Sequence, residues 1–210
     1  MINTAHVISL PHRTDRRKSV RRELDRMGLH TIFHDAPHVT RDGHLGCTLG
    51  HYYAVKDAMM GNWSAMPPQL IVEDDALFMY PREEVFKALE EFQRLHGDNW
   101  DALFIGSFYQ AYYDPKVERF PRPFKMNQAT AYILNHRFAE EWLEYLEVCV
   151  LKRMRSPQGL NGILDQGWND LLKEKLIFCS DPKLVAQADN HSDILHAQSM
   201  GGVCRPLNLG

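Results

Sequence analysis

The chain has 210 residues, 44% of them hydrophobic, and a formal net charge of −3. That length suits one domain, or one with a small appendage, around a real core. The mild negative charge offers nucleic acid or an anionic membrane no bulk attraction, and four widely spaced cysteines without a CxxC pair exclude a disulfide framework and suit a reducing compartment. No run approaches the ~20 apolar residues that span a bilayer. The apolar stretch at 5–10 is too short for a secretory leader, so a cytoplasmic protein is expected.

Residues 5–10 (AHVISL) read as a buried strand stopped by Pro11. Thr14 or Asp15 then caps a helix to Met27, with Val20, Leu24 and Met27 on one face and Gly28 as its natural end. Residues 31–34 make a short second strand. Pro37, Asp42-Gly43 and Gly46 mark 35–47 as loop, and a helix runs from about Thr48 to Met60. Residues 69–72 (QLIV) form a compact buried strand that runs into Glu73-Asp74-Asp75. A helix follows Pro81 to about Leu95, and a strand covers 102–105. Residues 107–128 carry Phe108, Tyr109, Tyr112, Tyr113, Phe120 and Phe124 without clean periodicity, and read as a long surface loop or hairpin. A strand at 130–134, helices at 136–151 and 165–173, and short strands at 176–178 and 184–186 complete the pattern. The tail after Ser192 shows none. Strands alternating with helices predict an α/β fold: a mostly parallel sheet with helices on both faces and ligands beyond the carboxyl ends of the strands.

Three consecutive carboxylates at the mouth of a buried strand repel one another and are partly desolvated. A divalent cation relieves both costs. Mg²⁺ and Mn²⁺ prefer carboxylate, water and phosphate oxygens and use one or two protein carboxylates. Strand alternation points Glu73 and Asp75 one way and Asp74 the other, which makes Glu73 and Asp75 the expected ligand pair. The bland alternative is a solvated acidic loop. A different metal reading takes His44, Cys47 and His51, with His34 or His38, as zinc ligands, although this spacing matches no common zinc template.

Several motifs resemble, in order, those of glycosyltransferase family 25, which includes bacterial lipooligosaccharide galactosyltransferases and relatives of the collagen galactosyltransferases. Val7-Ile8-Ser9-Leu10 with Arg13 and Asp15-Arg16 looks like the family's opening strand and turn. Gly46-Cys47-Thr48-Leu49-Gly50-His51 is similar to its GCxxSH motif, and residues 70–75 to its acidic motif. Residues 100–106 (WDALFIG), 129–134 (ATAYIL), Asp165-Gln166, and 182–187 (PKLVAQ) with Ser192 follow. The likeness spans about residues 5–194 and departs at Ser9, where the family has Asn, and at Gly50, where it has Ser.

The resemblance implies a GT-A-like, Rossmann-like fold and an inverting transfer of a hexose, galactose or glucose. The donor would be a nucleotide sugar, in this family usually UDP-linked, and the acceptor a glycan or other hydroxyl. A single domain is expected, with donor binding in about 1–106, acceptor binding and catalysis in about 107–194, and a tail at 195–210. It implies Mn²⁺ or Mg²⁺ on Asp75 and Glu73, with His191 as a further ligand. Leu10, Arg13, Arg16, His51 and Asp74 fall to the nucleotide-sugar pocket, and Tyr132 to the core. Asp165, at a helix start after a Gly-bearing loop, is the expected base that takes the acceptor proton; its plain alternative is an N-cap. Asp170 and Asp181 are weaker rivals. Arg13, Arg16, Arg17, Arg21 and Arg22 could instead form a solvated basic face, or one that touches a membrane-linked acceptor. A phosphohydrolase or nuclease, or a non-catalytic nucleotide-sugar module, are the competing functions.

Overall fold

The structure is a computed structural model that describes residues 2–60, 67–112, 119–158, 162–188, 191–192 and 197–198. Its centre is a six-stranded sheet in the order β2-β1-β3-β6-β5-β7. The strands are β1 (Thr4–Ser9), β2 (His30–Asp35), β3 (Gln69–Glu73), β5 (Ala102–Ala111), β6 (Pro123–Leu134) and β7 (Ile177–Cys179). β1 is parallel to β2 and β3, and β5 to β7, while β6 runs against both β3 and β5. The fold is thus the expected α/β, Rossmann-like arrangement, a mostly parallel sheet flanked by helices. Two short strands, β4 (Ala76–Phe78) and β8 (Val185–Gln187), pair beside it.

Alternation along the strands divides the core into two layers. Ala5 and Val7, Leu70 and Val72, Leu103 and Ile105, and Ala131 and Ile133 face the side covered by helices α1 (Thr14–Arg26) and α3 (Arg82–His96). Ile8, Ile71, Phe104, Tyr132 and Leu134 face α2 (Gly43–Ala58), α4 (His136–Arg155) and α5 (Leu164–Leu171). On that second side Trp142 and Trp168 stack with ring centroids 3.7 Å apart. As expected, Tyr132 belongs to this core, fully buried beside Phe104.

Several boundaries differ from those expected, each for a physical reason. α2 begins at Gly43, inside the segment read as loop, because the Asp42 carboxylate accepts from the Leu45 amide and caps it. The glycines that looked like breakers are close-approach residues. A Cβ on Gly46 would lie 2.6 Å from the Pro37 carbonyl oxygen, and one on Gly50 2.7 Å from Ile8 Cγ2. Gly50 therefore suits this chain's tight packing of α2 on β1. Residues 107–111 and 123–128 are the two arms of the β5–β6 pair, so the hairpin alternative describes them better than the loop. Phe120 turns into the core, while Tyr112 and Phe124 stack in the open. Tyr113 and the tail at 199–210 lie outside the described residues. No described helix is long and apolar enough to cross a membrane.

Candidate functional site

The carboxyl ends of β1 and β3 open into a cleft of about 120 Å³. Its walls include Leu10, Arg16, Cys47, Glu73, Asp74, Asp75 and Gln187, with Pro37 and His38 from the segment before α2. This is where a mostly parallel sheet places ligands.

The acidic triplet does not divide as alternation suggested. β3 ends at Glu73, and Asp74-Asp75 form the turn into β4, so strand geometry stops one residue into the triplet. Glu73 keeps the α2 side, where its carboxylate lies 3.5 Å from His51 Nε2. Asp74 and Asp75 turn together toward α1. There the Arg16 guanidinium donates to Asp74 Oδ1 at 3.0 Å and to Asp75 Oδ2 at 3.3 Å. Ser9 Oγ–H donates to the other Asp74 oxygen at 2.6 Å, so serine does useful anchoring where the resemblance had asparagine. Gln187 Nε2–H donates to Asp75 Oδ2 at 3.0 Å.

Asp75 Oδ1 is buried and has no hydrogen-bond partner among the described residues. A buried carboxylate oxygen in that condition carries an unmet desolvation cost. Burial, and then the charge of Glu73, push the Asp75 carboxyl up to about 7 against the pull of Arg16 and Gln187. Burial, and then Asp165 and Asp74, push Glu73 up to about 7 as well. Two carboxylates raised this far, one with an orphaned oxygen, fit a hard divalent cation, because it would satisfy the oxygen and favour both ionised forms.

Asp165 is the second residue of α5, whose N-cap is Ile163, so its side chain is not the cap. Burial pushes its carboxyl up, and the Gln128 backbone amide pulls the other way. Its charge is the largest neighbouring influence on Glu73, which places it beside the α2 half of the triplet. Asn169 Nδ2–H donates to the Asp165 backbone carbonyl and to that of Met126, tying α5 to β6. Of the rivals, Asp170 accepts from Tyr145 Oη–H and Gln166 at the far end of the helix.

Of the other expected residues, His51 lies under the cleft, fully buried, with Nδ1 2.9 Å from the Tyr132 hydroxyl. Burial drives its ring down to about 3, so it is neutral. Arg16 and Leu10 line the cleft; Arg13 does not, and forks onto Asp15 at the start of α1. The backbone of His191 lies in a two-residue strand, and its side chain is outside the described residues.

The zinc reading is corrected in its membership. His34 is engaged elsewhere: Nδ1 lies 3.1 Å from an Asp57 carboxylate oxygen, and Nε2 lies 2.9 Å from His6 Nδ1. The described residues bring together Cys47, His51 and Glu73, whose ligand atoms lie within 4.8 Å of one another. Sequence reasoning had not placed Cys47 with Glu73, nor found Gln187 and Gln128. Cys47 stands four residues before His51, one helical turn away, and Gln187 closes a quoted motif. Gln128 left no signal.

No protein-family model matches the chain, and no curated protein does. The proteins of known structure to which it is similar include glycosyltransferases and sugar-nucleotide enzymes. One is a glycosyltransferase involved in glycosylation of the major capsid of PBCV-1, with 12% identity, TM-score 0.47, and coverage of 86% of this chain and 94% of that one. A nucleoside-diphosphate-sugar pyrophosphorylase from Vibrio cholerae has 15% identity, TM-score 0.44 and coverage of 84% and 72%. Mouse xyloside xylosyltransferase 1 has 14% identity, TM-score 0.40 and coverage of 82% and 69%.

Proposed function

We propose that this chain is a metal-dependent glycosyltransferase that moves a hexose from a nucleotide-diphosphate sugar to a hydroxyl acceptor, with the division of labour implied by its resemblance to family 25. The observation that carries the reading is the orphaned, buried Asp75 Oδ1 in a cleft at the carboxyl ends of β1 and β3. Asp75 would hold Mn²⁺ or Mg²⁺, with Glu73 across the cleft floor, and His191 is kept as a further ligand. The cation would neutralise charge that develops on the departing diphosphate.

The chain's own residues do the rest. Arg16, fixed by Asp74 and Asp75, presents a cation to the same cleft, and Leu10 supplies apolar wall for the nucleotide. Asp74 is the anchor of Arg16 and Ser9, so in this reading it orders the donor side of the cleft through them. His51 supports Glu73 from below. Arg13 serves the nucleotide only by holding the start of α1. Asp165 accepts the acceptor proton; a carboxyl pushed up by burial is a stronger base than an exposed one. Acceptor sugars would stack on Tyr112 and Phe124, whose rings lie 4.4 Å apart and exposed on the hairpin. In this reading, residues to about 106 serve the donor and those from 107 to 194 the acceptor. A membrane-linked acceptor would reach the site from the exposed basic side of α1.

Calorimetric titration with UDP, UDP-glucose and UDP-galactose, with and without Mn²⁺, tests the reading. Metal-dependent binding that is lost in Asp75→Ala is expected. No binding of any of the three under either condition would sink it.

A further inference from the structure

Cys47 and His51 stand at i and i+4 on α2, so they share one face a single turn apart. Glu73 reaches that face from the end of β3, because the chain turns only after it. The sulfur, the ring nitrogen and the carboxylate oxygen lie within 4.8 Å of one another, and Glu73 Oε1 is 3.5 Å from His51 Nε2. The His51 ring is held in place. It is wholly buried, stacks on Tyr132 with 15° between planes, and meets the Tyr132 hydroxyl through Nδ1. In one tautomer Nε2–H faces the Glu73 carboxylate; in the other Nδ1–H donates to the Tyr132 hydroxyl and leaves the Nε2 lone pair free for a cation, the arrangement in which a ligating histidine is oriented by a partner on its other nitrogen.

We propose that Cys47, His51 and Glu73 form a site for a thiophilic divalent cation of the zinc class. Cys47 and Glu73 line the cleft, so the cation enters from there and keeps a coordination position toward it. Burial, and then the charges of Glu73, Asp165 and Asp75, push the Cys47 thiol up, so the thiol proton leaves only when a dication replaces it, and the same carboxylates supply the negative field that favours that dication. A sulfur, an imidazole nitrogen and a carboxylate select Zn²⁺ or Co²⁺ over Mg²⁺, which binds oxygen. The all-oxygen position at Asp75 has the opposite preference. The site shares Glu73 with the transferase reading and needs neither donor nor transfer.

The test is an anaerobic Co²⁺ titration of the reduced full chain without nucleotide. The expected result is one equivalent bound, with a thiolate-to-cobalt charge-transfer band that Zn²⁺ removes by displacement. Cys47→Ser loses the band, and Glu73→Gln weakens binding by more than about tenfold. A folded wild-type chain with no thiolate band, or a band that survives in Cys47→Ser, overturns the proposal. If Cys47→Ser misfolds, alkylation of wild-type Cys47 by iodoacetamide, read by peptide mass mapping, decides: Zn²⁺ slows it, and an unchanged rate overturns the proposal. The donor titration uses Mn²⁺ with no zinc, so either idea can fail while the other stands.

Discussion

Two clusters of buried polar groups lie against α2, and they differ in how they end. At the outer edge of the sheet, Asp57, His34, His6 and Gln69 form a chain in which each group meets the next at 3.1, 2.9 and 3.2 Å. One end reaches the half-exposed Asp57 carboxylate, and the other is fixed because Gln69 Nε2–H donates to the Pro67 carbonyl. The second cluster, Glu73, Asp74 and Asp75 with His51, ends in an orphaned oxygen, two carboxyls pushed up to about 7 and a cleft. A polar network closed within the protein rigidifies it, and one left open marks the place where something else binds.

Four experiments probe this contrast. The largest effect expected is at the open cluster. Asp165→Asn should keep metal-dependent donor binding and lower transfer by about 10²–10⁴, the usual worth of a general base. Steady-state kinetics beside calorimetry reads both, and normal transfer would remove Asp165 from the base role. At the closed cluster, His6→Ala strands His34 Nε2 and the Gln69 carbonyl in the interior. A loss of about 2–4 kcal/mol in urea unfolding follows from a cavity plus unsatisfied groups, with donor affinity unchanged below the unfolding transition. A change in affinity without a loss of stability would erase the distinction between the clusters.

The third experiment uses pH. Glu73 and Asp75 sit near 7 in the folded chain and at 4.5 and 3.8 in the unfolded one, so between about pH 4 and 7 the folded state holds the extra protons. Their contribution is therefore present at acid pH and is lost as pH rises through 7. His6 has the opposite sign. Burial, and then the charge of His34, push its ring from 6.5 to about 4, so its contribution is present above 6.5 and is lost as pH falls toward 4. Asp75→Asn should thus raise the metal-free melting temperature at pH 8 by a few degrees and leave it unchanged at pH 4. Scanning calorimetry at both values checks it, and equal shifts would refute the assignment. The fourth substitution, Gly50→Ala, lies outside both clusters. Its new methyl meets Ile8 Cγ2, at a cost of about 1–3 kcal/mol on overpacking, and urea unfolding reads it.

The central strands were legible because β1 and β3 are short, mostly apolar runs, and the site was legible because Glu73-Asp74-Asp75 begins at the end of one of them. The division of the triplet was not, because alternation holds only while the chain is a strand, and β3 ends inside the acidic run. The length of β5 and β6 was hidden for a similar reason. Register shifts between Phe104 and Gly106, between Gly106 and Phe108, and between Gln110 and Ala111 break the period-2 pattern that marks a strand. The start of α2 was obscured because Gly43 and Gly46 carry a breaker's composition, although Gly46 is set by its close approach to the Pro37 carbonyl. Partners distant in sequence, such as Gln187 on Asp75 and His6 on His34, leave no local trace at all.

Gln128 has φ 69°, the left-handed region that side-chain-bearing residues rarely occupy. Its backbone amide acts on the Asp165 carboxylate, and its side-chain amide donates to Gln187 Oε1 at 3.0 Å, which leads on to Asp75. One residue thus serves two carboxylates on different elements, Asp165 through its backbone amide and Asp75 through its side chain and Gln187. Asp75 and Asp165 thus share a neighbour, so whatever places Gln128 bears on the surroundings of both carboxylates.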